Sequence, residues 1–251
     1  RRFLEPLAID VTAIPEIEAS ETARRLLASH AGAIATLREQ HLVDYVGVGR
    51  VKDAILHACH EAFERRDPAD PRVREFDAFV AAGGTALRDF AVFTALSETR
   101  ADAPWSRWPA ELQQPDSAAV WAFASEHAAQ VRFQYYLQWI ADSQLASAAE
   151  RAHTAGLALG FYRDLAVGAA PDGGEAWSHQ SLLARGATVG APPDAFAPAG
   201  QNWGLPPAVP HALKSSAYTA PAALFAANMR HAGGLRIDHV MGLQRLFWIP
   251  E

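Results

Sequence analysis

The stretch Leu235-Arg-Ile-Asp-His239, preceded by Gly233-Gly234, decides the fold of this protein. Earlier in the chain, the short apolar run Gly156-Leu-Ala-Leu-Gly-Phe-Tyr-Arg-Asp164 also ends in charged residues. A helix-like stretch around Ala222 to Arg230 lies between the two runs, directly before Gly233. The order apolar strand, helix, apolar strand is typical of parallel βα units. In such sheets and barrels, the chemistry lies where the carboxyl ends of the strands meet the following loops. Two strands that both end in acidic residues therefore predict a single site.

Alternation along the predicted strand places Arg236 and Asp238 on one face, and Ile237 and His239 on the other. An arginine and an aspartate buried on an apolar strand need each other, because an unpaired buried charge costs several kcal/mol. One interpretation is a buried salt bridge that only closes the strand end. The other is a carboxylate held ionised by the guanidinium, which acts as a nucleophile or an electrostatic stabiliser. The residues alone leave both interpretations open.

The segment from Gly190 to Pro210 holds six of the sixteen prolines and the sequence Gly200-Gln-Asn-Trp-Gly204. We predict a loop without regular structure, because proline lacks the N–H group and has a fixed φ. A rigid loop that carries Gln201 and Trp203 suits sugar recognition, with a ring to stack on and an amide for hydroxyl groups. The alternative is a surface connector in which Trp203 fills a gap.

Composition limits the classes of function. The 251 residues include 22 Lys and Arg against 28 Asp and Glu, a net charge of −6 that argues against nucleic-acid binding. We find no apolar run that approaches the ~18 residues of a membrane span. A single cysteine, Cys59, excludes an intramolecular disulfide and favours a reducing, cytoplasmic setting.

The region 17–155 has helical periodicity. Val51, Ile55, Cys59, Ala62 and Phe63 recur at spacings of four and three, which places them on one face of a helix. The apolar pattern from Val120 to Arg151 predicts one long helix that starts at Asp116-Ser117 and stops at Gly156. We interpret this region as a helical lobe.

Taken together, these motifs resemble the 4-α-glucanotransferases, also called amylomaltases or disproportionating enzymes. The matching motifs, in the order of the family, are Phe3-Leu-Glu-Pro-Leu7 with Ile9-Asp10 (an early sugar-site loop), Tyr162-Arg-Asp-Leu-Ala-Val-Gly168 with Trp177 (third strand), Gly190-Ala-Pro-Pro-Asp194 with Gly200-Gln-Asn-Trp-Gly204 (a substrate-covering loop), and Leu235-Arg-Ile-Asp-His239 with Gly242 and Trp248-Ile-Pro250 (fourth strand). Arg-Ile-Asp-His alone is shared across the α-amylase clan, and its combination with Gln-Asn-Trp-Gly is specific.

The resemblance implies an α/β fold, part of a (β/α)8 TIM barrel with a large α-helical insertion. Residues 1–16 would form a barrel loop segment, 17–155 the helical insertion subdomain, and 156–251 a barrel βα segment with the substrate-covering loop 190–210. A complete barrel needs about 250 residues for its βα units alone. We therefore expect the barrel to be incomplete in this chain, which would be an internal piece of a larger enzyme.

The resemblance also implies a retaining mechanism on α-1,4-glucans. Asp238 matches the nucleophile that forms a covalent glycosyl-enzyme, and Arg236 matches the arginine that keeps this carboxylate ionised. The matches to substrate-contacting positions are Asp164, Gln201, Trp203 and His239. The implied partners are a malto-oligosaccharide or other α-1,4-glucan donor and a sugar acceptor, with no cofactor, metal, nucleic acid or membrane.

A retaining glycosidase needs a second carboxyl group about 5–5.5 Å from the nucleophile. In the family it comes from a Gly-Glu-Asp-Leu-Gly-type motif beyond the fourth strand, and this motif does not occur here. The early loop also has Glu5 where the family usually has asparagine. We expect the 251-residue chain alone to be inactive. The alternatives are a hydrolase of the α-amylase clan and a non-catalytic α-glucan-binding or interaction module.

Overall fold

A computed structural model describes residues 2–101 and 103–251 and shows a mixed helix and strand architecture. The α-helices are α1 (Glu16–Ala19), α2 (Glu21–Ser29), α3 (Ala31–Glu39), α4 (Tyr45–Glu64), α5 (Pro71–Thr99), α6 (Ala118–Glu126), α7 (Ala128–Thr154), α8 (Gly174–Ser178), α9 (Pro210–Ser215) and α10 (Thr219–Met229). The strands are β1 (Tyr162–Leu165), β2 (Ala187–Ala191), β3 (Gln201–Leu205), β4 (Gly234–Ile237) and β5 (Phe247–Pro250).

The chain forms two compact units. Unit 1 comprises Arg1–Phe3, Asp89–His127 and Ala146–Glu251, and unit 2 comprises Leu4–Arg88 and Ala128–Leu145. These bounds differ from those of the segments 1–16, 17–155 and 156–251, and that three-part division stays a prediction.

Helix α4 lies in unit 2 and confirms the predicted apolar face. The helix begins where the carboxylate of Asp44 accepts a hydrogen bond from the Gly47 N–H, at 2.8 Å. Val51, Ile55, Cys59 and Phe63 are all buried, in one apolar core. Burial raises the pKa of the Cys59 thiol to about 12, so this cysteine behaves as a core residue.

The long helix predicted from Val120 to Arg151 is wrong as a single element, because it is broken at His127 into α6 and α7. At this residue the backbone leaves the helical region, and the Nδ1 atom of the imidazole lies 3.1 Å from the Phe123 carbonyl oxygen. A side chain that bonds the local backbone competes with the helix, and the apolar pattern does not reveal this. The predicted ends are confirmed: Ser117 caps the first helix, and Gly156 follows the second with a φ of 92°.

Helix α5 is long and apolar enough to cross a membrane by length and composition, which the sequence analysis did not expect. Arg88 and Asp89 interrupt the apolar residues of this helix, so it contains no unbroken apolar run of ~18 residues. The helix is nevertheless apolar on average over 18 residues. It is interrupted at Gly84, where φ is 53° and ψ is −148°. Its Phe76 and Leu96 side chains are fully buried, and about a third of its most apolar 18-residue stretch is buried inside the protein.

Strands β1 and β4 pair in parallel, as predicted, and α10 packs on both. The register places Asp164 opposite Arg236 and Leu165 opposite Ile237. The helix between two parallel strands is the βα arrangement that the apolar runs predicted. The ends of both strands therefore meet at one edge of the pair.

The remaining strands form an antiparallel sheet in the order β3-β2-β5. The prediction of a loop without regular structure at 190–210 is therefore wrong for Gln201–Leu205, which pairs with β2. The six prolines of this segment flank β3 and leave it free of proline, so its N–H groups are available for pairing. The Gln201 and Trp203 side chains are thus carried by a hairpin strand.

Candidate active site at the ends of two parallel strands

Strands β1 and β4 of unit 1 bring three charged side chains together. The Nη1 atom of Arg236 lies 3.5 Å from Oδ1 of Asp164, and its Nη2 atom lies 3.9 Å from Oδ1 of Asp238. One guanidinium therefore lies between two carboxylates that belong to different strands. This confirms that the two acidic strand ends converge on one place.

These three side chains are not buried, which corrects the expectation of a buried Arg236–Asp238 pair. The exposed fractions are 67% for Asp164, 59% for Arg236 and 61% for Asp238. Within the described residues, β1 and β4 form a two-stranded sheet, which leaves the face with the charged groups open. Ion pairs this exposed contribute about 0–1 kcal/mol. In this chain, the pair is therefore not a buried salt bridge.

His239 lies just beyond the strand, which ends at Ile237, so the alternation that would turn its ring away does not apply. Its backbone is left-handed, with φ 47° and ψ 54°, and the 3-10 helix Val240–Leu243 follows. The Gly242 N–H donates a hydrogen bond to the His239 carbonyl oxygen at 2.8 Å. The chain thus turns sharply directly after Asp238.

The hairpin strand β3 reaches this turn through Trp203. The Trp203 indole and the His239 imidazole meet edge to face, with ring centroids 4.8 Å apart and an interplanar angle of 81°. The indole N–H donates a hydrogen bond to Oε1 of Gln201 at 2.9 Å, so these two side chains share one face of β3. Trp203 is half-buried. The structure therefore links Gln201 and Trp203 to the strand end that carries Asp238.

A cavity of about 250 Å³ borders the same strand end. Leu165 and Ile237 line it, together with Asp238 and His239. Asp164 does not line it, because it lies on the opposite face of β1 from Leu165. Asp238, which follows the strand, is therefore the member of the charged trio that borders the cavity.

Three further ionisable residues line this cavity, Glu175, His179 and Tyr218. Sequence reasoning assigned no role to Glu175 or His179, since they lie in and next to the five-residue helix α8 and belong to no recognised motif. Their neighbour Trp177 is fully buried, and its indole N–H donates to the Leu112 carbonyl oxygen at 3.0 Å. This contact anchors α8. Over residues 2–101 and 103–251, no three His, Cys, Asp or Glu side chains are arranged to hold a metal ion.

Comparison with known proteins explains this arrangement. A profile of the 4-alpha-glucanotransferase family matches residues 1–251, the whole chain. The chain belongs to the 4-α-glucanotransferase family. A 4-alpha-glucanotransferase from Mycobacterium tuberculosis is 41% identical to it over 251 residues, which are 100% of this chain and 34% of that protein.

Solved structures agree with this membership. The crystal structure of amylomaltase from Corynebacterium glutamicum matches with a TM-score of 0.82 and 33% sequence identity, over 100% of this chain and 33% of that one. Amylomaltase from Streptococcus agalactiae in complex with acarbose shares the fold at 20% identity, with a TM-score of 0.77 over 99% of this chain and 49% of that one. The chain spans about a third of the length of its relative from Mycobacterium tuberculosis.

Proposed function

We propose that the complete protein to which this chain belongs is a retaining 4-α-glucanotransferase. The observation that carries this proposal is the exposed trio in which Arg236 lies between Asp164 and Asp238, at the ends of two parallel strands. These groups contribute little to stability at such exposure, and family membership supports a chemical role for them.

Asp238 is the proposed nucleophile. Its carboxylate attacks the anomeric carbon of an α-1,4-glucan, and the bond from that carbon to the leaving glycosidic oxygen breaks. The leaving oxygen takes a proton from a second carboxyl group, and a covalent glycosyl-enzyme on Asp238 remains. The 4-hydroxyl of an acceptor sugar then displaces Asp238 and returns its proton to that second group. Arg236 stabilises the Asp238 carboxylate as an anion between these steps.

The second carboxyl group is proposed to come from a part of the complete protein outside this chain. The same holds for the remaining strands of the (β/α)8 barrel, in which the helical region would be an insertion. The high structural similarity over about a third of the Corynebacterium glutamicum amylomaltase supports this arrangement. We accordingly expect the isolated 251-residue chain to have no transferase activity.

The substrate is proposed to contact Asp164, Gln201, Trp203 and His239. A tryptophan face stacks on sugar rings, and amide and carboxylate groups bind hydroxyls. The acarbose complex of the Streptococcus agalactiae amylomaltase supports an α-glucan as the ligand class. The β2–β3 hairpin excludes water, so that an acceptor sugar reacts in place of hydrolysis. A cytoplasmic location is part of the same proposal.

The test is product analysis after incubation of the complete protein with maltotriose. A transferase produces glucose together with chains longer than the substrate. Release of glucose and maltose without longer chains would indicate a hydrolase instead, and binding without turnover would indicate a non-catalytic module. The isolated chain is assayed in parallel, and turnover above background would refute the proposal that an essential carboxyl lies outside it.

A further inference from the structure

The Asp238 carboxylate has few direct contacts that fix its direction. Its ion-pair partner Arg236 is 3.9 Å away, which is longer than a hydrogen bond. In the described part of the chain, this carboxylate accepts no hydrogen bond. A nucleophile needs a defined direction to attack in line, so its orientation has to come from the backbone that carries it.

That backbone is unusual immediately after Asp238. His239 has a φ of 47°, in the left-handed region that residues other than glycine seldom adopt, although histidine does so more readily than most. The Gly242 N–H hydrogen bond to the His239 carbonyl oxygen, at 2.8 Å, closes the turn that begins at this residue. The conformation of His239 thus fixes the peptide chain that directly follows Asp238, and this chain forms one side of the space around the Asp238 carboxylate.

Trp203 contacts His239 from a different element. Its indole is tied to Gln201 on β3, and β3 is held by its ladder to β2. The edge-to-face contact at 4.8 Å therefore connects the imidazole to a sheet that does not include β4. Aromatic pairs in this geometry are attractive beyond their buried area.

We propose that Trp203 and His239 are a positioning pair for Asp238. The indole holds the imidazole, the held imidazole keeps His239 left-handed, and this conformation directs the preceding carboxylate. The inference rests on the proposed function and adds a role that these two side chains perform before any sugar binds. In this role, Trp203 and His239 act on the reaction indirectly, through Asp238, and not only by direct contact with substrate.

Two substitutions of His239 separate the backbone from the side chain. His239→Gly and His239→Ala both remove the imidazole, but glycine adopts the left-handed region at no steric cost and alanine does not. We expect kcat to be about tenfold higher for the glycine variant, at similar KM, since the difference acts on the reacting step. Equal kcat values, or a faster alanine variant, would overturn the proposal.

The role of the indole is tested in two backgrounds. Trp203→Leu is expected to lower kcat about fivefold when His239 is present and by clearly less in the His239→Gly background, where only its contact with sugar is left to lose, because coupled residues are not additive. An equal loss in both backgrounds would mean that the indole acts without the imidazole, and the pair would be rejected. Trp121→Leu is the matched control, with an indole that is 54% exposed on α6.

A readout without substrate separates this inference from the proposed function. In protein labelled with ¹³C-histidine, the His239 signal carries a ring-current shift from Trp203, which Trp203→Leu removes and Trp121→Leu does not. A His239 signal that stays unchanged in Trp203→Leu would overturn the pairing, even if the enzyme is active. If Asp238→Asn left activity intact, the proposal that Asp238 is the nucleophile would be wrong. The ring-current measurement would still show whether Trp203 and His239 are in contact.

Discussion

Each of the two compact units contains a cluster in which arginines meet carboxylates, and the two clusters differ in burial and in geometry. In unit 2, Glu16 is fully buried, and Arg72 binds both of its oxygens, with Nε–Oε1 at 2.7 Å and Nη2–Oε2 at 2.9 Å. In unit 1, the oxygens of Asp164 and Asp238 are exposed and lie 3.5 Å and 3.9 Å from Arg236. One cluster is closed to solvent and the other is open.

In the buried cluster, both carboxylate oxygens of Glu16 accept hydrogen bonds. Arg66 and the Tyr136 hydroxyl donate further hydrogen bonds at 3.2 and 3.0 Å, and the Arg72 guanidinium lies 4.4 Å from the centre of the Trp139 ring. Burial alone would raise the pKa of Glu16. The hydrogen bonds and the charge of Arg72, the hydrogen bond from Tyr136 and the charge of Arg66 together lower this pKa below its ordinary value.

The difference shows how a structural carboxylate can be told from a reactive one. A carboxylate whose partners all lie inside the protein contributes to stability and has no position left for a ligand. A carboxylate with exposed oxygens and a distant cation contributes little to stability and can react. Each of the following substitutions tests one side of this distinction.

The largest effect is expected for Asp238→Asn in the complete protein. The change removes the nucleophile with almost no change in shape, so kcat should fall by about 10⁴-fold or more. Binding of maltotriose and the free energy of unfolding should stay close to those of the unmodified protein. Initial rates and calorimetric titration measure the two, and retained turnover would disprove the nucleophile.

Glu16→Gln should give the largest loss of stability. The substitution leaves the half-buried Arg72 guanidinium without the carboxylate that it binds, whereas Arg66 keeps its pair with Asp70. Breaking a buried pair in this way costs about 3–5 kcal/mol. Urea denaturation at neutral pH measures the change. The matched control is Glu21→Gln, whose carboxylate pairs with Arg25 on the surface and should contribute at most about 1 kcal/mol. Equal losses in both variants would contradict the distinction.

The stability from Glu16 should also depend on pH, with a defined sign. Its pKa in the folded state lies below the ordinary value of 4.5, so its contribution is fully present above that value and is lost as pH falls through the lowered one. The difference in unfolding free energy between the unmodified chain and Glu16→Gln should therefore shrink below about pH 4. A difference that stays constant down to acid unfolding would argue against the lowered pKa.

The smallest effect is expected for the stability of Arg236→Gln. Because the guanidinium is 59% exposed and its partners are distant, the free energy of unfolding should change by less than about 0.5 kcal/mol. The same variant should lose most of its turnover in the complete protein. A destabilisation of several kcal/mol would show that the exposed cluster is structural after all.

The local pattern of the sequence predicts the parallel strands and their acidic ends, because short apolar runs on either side of a helix most often form parallel strands of a βα unit. It could not predict that Arg236 and Asp238 are exposed. Alternation assigns side chains to faces, but only the surrounding elements decide which face is covered. The sequence analysis did not predict that Trp203 lies in a strand. It used the number of prolines in the segment 190–210, whereas their positions on either side of Gln201–Leu205 leave room for a strand.

Other features depend on contacts between distant residues. Arg66 and Tyr136 lie 50 and 120 positions from Glu16, so no spacing rule connects them. The break at His127 depends on one ring nitrogen and one carbonyl oxygen, which leave the apolar periodicity unchanged. The Trp203–His239 contact likewise joins a hairpin and a turn whose conformations both had to be known first.

The pairing of Asp164 with Arg236 across β1 and β4 restricts how this gene can change over generations. Insertions between the strands that leave α8 and the β2–β3 hairpin intact keep the partners aligned, and we expect them to be tolerated. Deletion of one codon within β1 reverses the side that each later residue of the strand presents and moves the aspartate away from its guanidinium. Lineages that retain the enzyme should therefore vary freely in the length of those connections but not in that of β1.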